Sequence, residues 1–90
     1  MQRTIWKFPL DTIDNQDIEM PSDYELLAVQ VQNGSPQLWA LVDPETPPKA
    51  VSIRIVGTGH RILDEKIKYV GSYQLLHGAL VYHCFELLET

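Results

Sequence analysis

The sequence predicts an all-β protein: about seven short, mostly antiparallel strands in a small sandwich or strongly bent sheet, with little or no helix. Three observations carry this expectation. Apolar residues recur with period two over most of the 90 residues. Short clusters of Gly, Pro, Asn and Asp part the runs. No stretch holds a helical repeat. Asp64 to Tyr69 comes nearest and is too short.

Each strand has its own reason. Thr4 to Leu10 is rich in aromatic and β-branched residues, and Pro9 marks an edge or a strand end. Asp11 to Asn15 is a polar turn. Asp17 to Met20 alternates polar and apolar until Pro21-Ser22-Asp23 stops it. Glu25 to Gln32 sets Leu27, Val29 and Val31 on one face and Leu26, Ala28, Gln30 and Gln32 on the other. Asn33-Gly34 then favours a type I′ hairpin turn. Gln37 to Asp43 is apolar on both faces and reads as a central strand buried on both sides. With its neighbour it forms the expected core hairpin.

Pro44, Pro47 and Pro48 make Pro44 to Ala50 a surface loop. Alternation resumes from Val51 to Val56, and Gly57-Thr58-Gly59-His60 interrupts it. Arg61 to Lys66 is a polar loop with room for one helical turn. Ile67 to Leu75 and Ala79 to Leu88 form a last hairpin around Leu76-His77-Gly78. In its second strand Val81, His83 and Phe85 share one face, and Tyr82, Cys84 and Glu86 share the other.

Length and charge narrow the function. Ninety residues make one domain, 1–90, with one modest core. The apolar runs are far shorter than the ~20 residues of a membrane span. The net charge of −5 argues against a nucleic-acid polymer as partner. Yet Lys49, Arg54, Arg61, Lys66 and Lys68 cluster with only Asp64 and Glu65 among them. A basic zone in an acidic chain suits a small anionic ligand, although charges of this kind often only solvate a face. Cys84 is the single cysteine, so no disulfide forms within the chain. With no signal-peptide pattern at the start, the expected compartment is the cytoplasm.

The candidate ligand-binding residues fall into two groups. Gly57, Thr58 and Gly59 allow close backbone approach to a ligand, with N–H groups free for an anion. His60, Arg61 and Arg54 would add donors and charge. The bland reading is a glycine-bearing turn that ends a strand. Gln30, Gln32, Trp39, Tyr73 and His83 could supply donors and a stacking plane. Against this, Trp39 reads as core and His83 as a half-buried core histidine. The three histidines lack metal-ligand spacing, so no metal is expected. Nor is a cofactor. No nucleophile motif or acidic dyad is present, and Cys84 reads as an inert core thiol, because His83 points to the opposite face. The chain is therefore expected to be a binder rather than an enzyme, with a hydrolase at His60 or His83 as a weaker third reading.

Several strings carry a wider resemblance: Ile5-Trp6-Lys7-Phe8-Pro9-Leu10, Val29-Gln30-Val31-Gln32-Asn33-Gly34 and Leu38-Trp39-Ala40-Leu41-Val42-Asp43-Pro44, then Gly57-Thr58-Gly59-His60 and Gly78-Ala79-Leu80-Val81-Tyr82-His83-Cys84-Phe85-Glu86. With these the chain resembles a family of small proteins encoded by phages and prophages. In size and kind it more loosely resembles phage anti-defence proteins that sequester nucleotide immune signals. The resemblance implies a binding protein for a phosphate-bearing signal, such as a cyclic nucleotide or a cyclic ADP-ribose variant. The alternative is an interaction module that inhibits a host or phage enzyme through an exposed strand face. A homo-oligomer is expected in either case. Association would cover strand edges and could build a cavity between subunits.

Overall fold

A computed structural model describes residues 2–63 and 66–88. Seven strands form in chain order: β1 (Thr4–Pro9), β2 (Asn15–Pro21), β3 (Tyr24–Gln32), β4 (Ser35–Val42), β5 (Pro48–Gly57), β6 (Ile67–Leu75) and β7 (Leu80–Leu87). They build two antiparallel sheets, ordered β1-β4-β3 and β2-β5-β7-β6. The expected all-β sandwich is what the chain adopts, and no helix occurs among the described residues. None is therefore long and apolar enough to cross a membrane. Asp64 and Glu65, within the segment that could have held a helical turn, lie outside the described residues.

Both expected hairpins form. Asn33 and Gly34 take φ of 52° and 82°, as a type I′ turn requires. The core lies between the sheets. Leu38, Ala40 and Val42 of β4 face Val51, Ile53 and Ile55 of β5 and Cys84 of β7, all buried. Phe8 and Ile18 from the outer strands pack against this centre. The sheets come closest where β3 meets β6. A Cβ on Gly71 would stand 3.6 Å from the backbone nitrogen of Val29, an ordinary contact distance.

Two bulges set which side chains point inward. In β3 the pairing shifts between Leu26 and Ala28, leaving Leu27 over. Simple alternation put Leu27 and Val29 on one face. The extra residue instead places Leu26 with Val29 against the core and leaves Leu27 41% exposed. In β6 the shift falls between Tyr69 and Gly71, with Val70 as the extra residue.

Two further expectations change. Pro48 begins β5 instead of lying in a loop, and pairs with Pro21 of the edge strand β2. Residues 48 to 52 pair with β2 alone, because pairing with β7 starts at Ile53. The missing N–H of Pro48 is therefore tolerated at the sheet margin. β4 is also not buried on both sides. Trp39 and Leu41 lie on its outer face and are half-buried. Lys7 Nζ stands 5.7 Å from the Trp39 ring centroid and donates to Gln32 Oε1 at 2.7 Å. Trp39 is thus a capped surface ring, not core.

Candidate functional site

The outer face of the β2-β5-β7-β6 sheet gathers the densest set of polar and aromatic side chains. Strand pairing decides its membership, because residues opposite one another share a face. Val56 stands opposite His83, and Arg54 opposite Phe85. Ser72 stands opposite His83 and Tyr69 opposite Phe85 on the other side. Arg54, His83, Phe85 and Tyr69 are therefore neighbours on one surface.

Tyr69 is there because of the bulge. In the regular part of the hairpin Tyr73 pairs with Tyr82 and Gly71 with Cys84, all on the inner face. Tyr69 has the same parity and would follow them inward. The extra residue Val70 turns it outward, where it remains 54% exposed. Its ring meets Phe85 edge-on at 5.3 Å and His83 at 6.2 Å.

His83 is held at both ring nitrogens. Thr58 Oγ1 lies 2.8 Å from Nε2, and Tyr69 Oη lies 3.4 Å from Nδ1. A neutral imidazole donates through one nitrogen and accepts through the other, and a hydroxyl can meet either. The ring is thereby fixed in orientation. His83 is neither a core histidine nor a lone pocket donor. It is the middle of a Thr58–His83–Tyr69 chain on the sheet surface.

The glycine loop is a tight turn. His60 N–H donates to Gly57 O at 3.0 Å, and Gly59 takes φ of 89°. Such a φ at the third turn position is what makes glycine the natural occupant. Thr58 N–H extends the strand ladder to Val81 O at 3.1 Å. Of the N–H groups expected to cradle an anion, that of Thr58 is thus already used inside the protein, as is the neighbouring one of His60. His60 also moves away from His83. Its ring packs over Gly57, where an added Cβ would come within 3.0 Å of it. Gly57 is opposite Tyr82 and has inward parity, so His60 and His83 serve opposite sides of the sheet end. Arg61 follows as an exposed residue.

The remaining sequence-derived candidates lie elsewhere. Gln32 and Trp39 are on the outer face of the other sheet. Gln30 and Tyr73 meet along the β3–β6 seam, lining a cleft of about 470 Å³ with Ser72 and Gln74. Tyr73 offers little to a ligand. It is 4% exposed, its hydroxyl bonds Thr12 Oγ1 at 2.9 Å, and burial raises its pKa above the ordinary tyrosine value. Sequence reasoning missed Tyr69 and Phe85. Phe85 shares its face with His83 by simple alternation, a signal present in the residues. The position of Tyr69 depends on a bulge and carried no such signal.

The family is defined at the level of the whole chain. A family model described as Domain of unknown function (DUF7352) matches residues 1–90. The chain belongs to the DUF7352 family. No curated protein and no solved structure matches it. The DUF7352 domain here thus offers its own side-chain geometry as the guide to function. That geometry is an open surface, with Tyr69, Phe85 and Arg54 at one end and the His83 and Thr58 side chains toward the glycine turn.

Proposed function

We propose that this DUF7352 protein binds a small, phosphate-bearing, nucleotide-like molecule on the outer face of the β2-β5-β7-β6 sheet. The observation that carries the reading is the Thr58–His83–Tyr69 chain, with Phe85 and Arg54 on the same face. A purine or nicotinamide ring would stack on Tyr69, whose exposed ring is buttressed by Phe85. Arg54 and Arg61 would meet phosphate oxygens, guanidinium groups being suited to that geometry. Side chains would carry the anion, since Thr58 and His60 N–H groups are engaged.

The finer reading is sequestration of a signalling molecule of the cyclic nucleotide or cyclic ADP-ribose type, as a phage countermeasure to host immunity. An open face suits a binder that holds its ligand unchanged. Titration calorimetry with cyclic mononucleotides, cyclic dinucleotides and NAD derivatives tests it. The expected result is saturable binding that Tyr69→Ala and Arg54→Ala each weaken at least tenfold, about 1.4 kcal/mol or more. No heat and no change in melting temperature across that panel would refute it.

A second reading has its own observation. Ile5 (57% exposed), Trp39 and Leu41 form an apolar row on the outer face of the β1-β4-β3 sheet. Such a row suits contact with a protein surface. Recovery of one stoichiometric protein partner, lost on Trp39→Glu, would favour an interaction module that inhibits an enzyme.

A further inference from the structure

We infer that β1 is a self-pairing edge, and that two copies of the chain join through it into one continuous six-stranded sheet. The inference rests on strand geometry and is independent of the ligand reading.

Two open sheets have four edge strands, β1, β3, β2 and β6. An exposed edge offers unpaired backbone groups to any other chain, and proteins usually blunt it with charge, proline, bulges or cover. β3 and β6 each carry a bulge and lie against one another at Gly71 and Val29. β2 carries Asp17 and Glu19 and ends at Pro21, so two copies of it would bring acids together. β1, Thr-Ile-Trp-Lys-Phe-Pro, has no bulge and no acid, and its blunting residues are one lysine and the proline at its end. Among the described residues no strand covers its outer side. It shows Ile5 at 57% and Trp6 at 40% exposure, one on each face.

The direction of its free groups follows from one hydrogen bond. Leu10 N–H donates to Pro36 O at 3.0 Å, continuing the β1–β4 register. In an antiparallel ladder every second residue directs both its N–H and C=O at the neighbour. Leu10, Phe8, Trp6 and Thr4 therefore face β4, and Pro9, Lys7, Ile5 and Arg3 face outward. Pro9 fits this alternation, because it sits where no N–H is needed.

Charge then selects a register. Arg3 and Lys7 are the charged residues of this segment. An antiparallel copy centred on Ile5 would set Lys7 against the other Arg3. One centred on Lys7 would set the two lysines face to face. Centred on Trp6, Lys7 lies opposite Ile5 and Arg3 opposite Pro9. Each Ile5–Lys7 pair then exchanges both backbone hydrogen bonds, and Arg3 N–H reaches the Pro9 carbonyl. The two Trp6 rings meet in a pair without ladder bonds, where side chains come closest. The arrangement is self-complementary, as a two-fold dimer demands.

Sedimentation equilibrium and light scattering on the 90-residue chain, up to roughly 0.1 mM, test this. Twice the chain mass is expected. Ile5→Lys, which faces Lys7 of the copy, should raise the dissociation constant roughly fivefold or more. Ile5→Glu at the same position should preserve or tighten the dimer. Lys7→Pro removes an outward N–H and should leave folded monomer by circular dichroism. A monomer throughout the range, or a dimer that responds alike to Ile5→Lys and Ile5→Glu, would overturn the inference.

Discussion

Tyr24 donates its phenolic hydrogen bond to Oε2 of Glu86, tying β3 to the far end of β7 across the sandwich. Glu86 is a carboxylate on the inner face, 8% exposed. Lys49 Nζ stands 5.6 Å from the Tyr24 ring centroid, and all three line a cleft of about 120 Å³. A carboxylate withdrawn from water must be hydrogen-bonded to be tolerated. Tyr24→Phe removes a donor and leaves the charge in place. It should cost about 1–3 kcal/mol of stability. Replacing both partners, Tyr24→Phe with Glu86→Leu, should cost less than the sum of the two single changes. Urea unfolding of the four proteins measures the difference, and strict additivity would count against the pair.

The turn between β6 and β7 holds a second, opposite expectation. Leu76 and His77 take φ of 53° and 56°, a region costing L-residues roughly 1–2 kcal/mol each. Leu76 is 70% exposed beside an apolar groove between the hairpin tips, so its packing repays little of that. His77→Gly and Leu76→Asn should therefore each stabilise the protein, by up to about 1 kcal/mol. Gly34→Ala, at φ 82° with open space around it, should destabilise it. Thermal melts of the three variants check the sign. A lower melting temperature for His77→Gly would show that its side chain holds the turn.

These two relationships also mark how far the residues alone can be read. Alternation and turn chemistry are local, so the strands and the Asn33-Gly34 hairpin are legible. A bulge adds one residue without altering the character of a run, so Leu27 and Val70 are not. Yet those bulges decide the two most informative contacts. The shift at Leu27 turns Tyr24 inward to Glu86, and the shift at Val70 turns Tyr69 outward to His83. Alternation likewise leaves open which face of β7 is buried. The inner face is the one that carries Cys84 and Glu86, and Tyr24, 62 residues away, bonds Glu86 there. Of the candidate site, Thr58 meets His83, and Arg54 shares the face of His83, because β5 and β7 pair. The glycine turn behaves as a strand terminator, with the Thr58 and His60 N–H groups already occupied.

Gly57 offers a local test of that turn. An added Cβ would meet His60 Cε1 and Nδ1 at 3.0 Å. The obstacle is an exposed, movable ring. Gly57→Ala should shift the His60 ring resonances in NMR while lowering stability by less than about 1 kcal/mol. The His83 ring, held by Thr58 and Tyr69 on the other side of the sheet, should keep its chemical shifts. A joint shift of both rings would show that the two histidines share one site after all.

The buried thiol of Cys84 should make stability fall at alkaline pH. It is fully buried at the centre of β7, and burial pushes its thiol from 9.0 up to about 12. The folded state therefore keeps a proton that the unfolded chain releases near pH 9. Stability should be flat below that point and fall as pH climbs from 9 towards 12, because the unfolded state binds fewer protons there. Tyr73, raised by burial against the opposing hydrogen bond from Thr12, contributes the same sign above pH 10. Cys84→Ala should lower the neutral-pH stability by about 1 kcal/mol through lost packing. It should also make the decline between pH 9 and 10 shallower, since Tyr73 begins to contribute only above pH 10. Urea midpoints for both proteins across that interval decide the matter. Parallel curves would show that the thiol does not govern the alkaline limb.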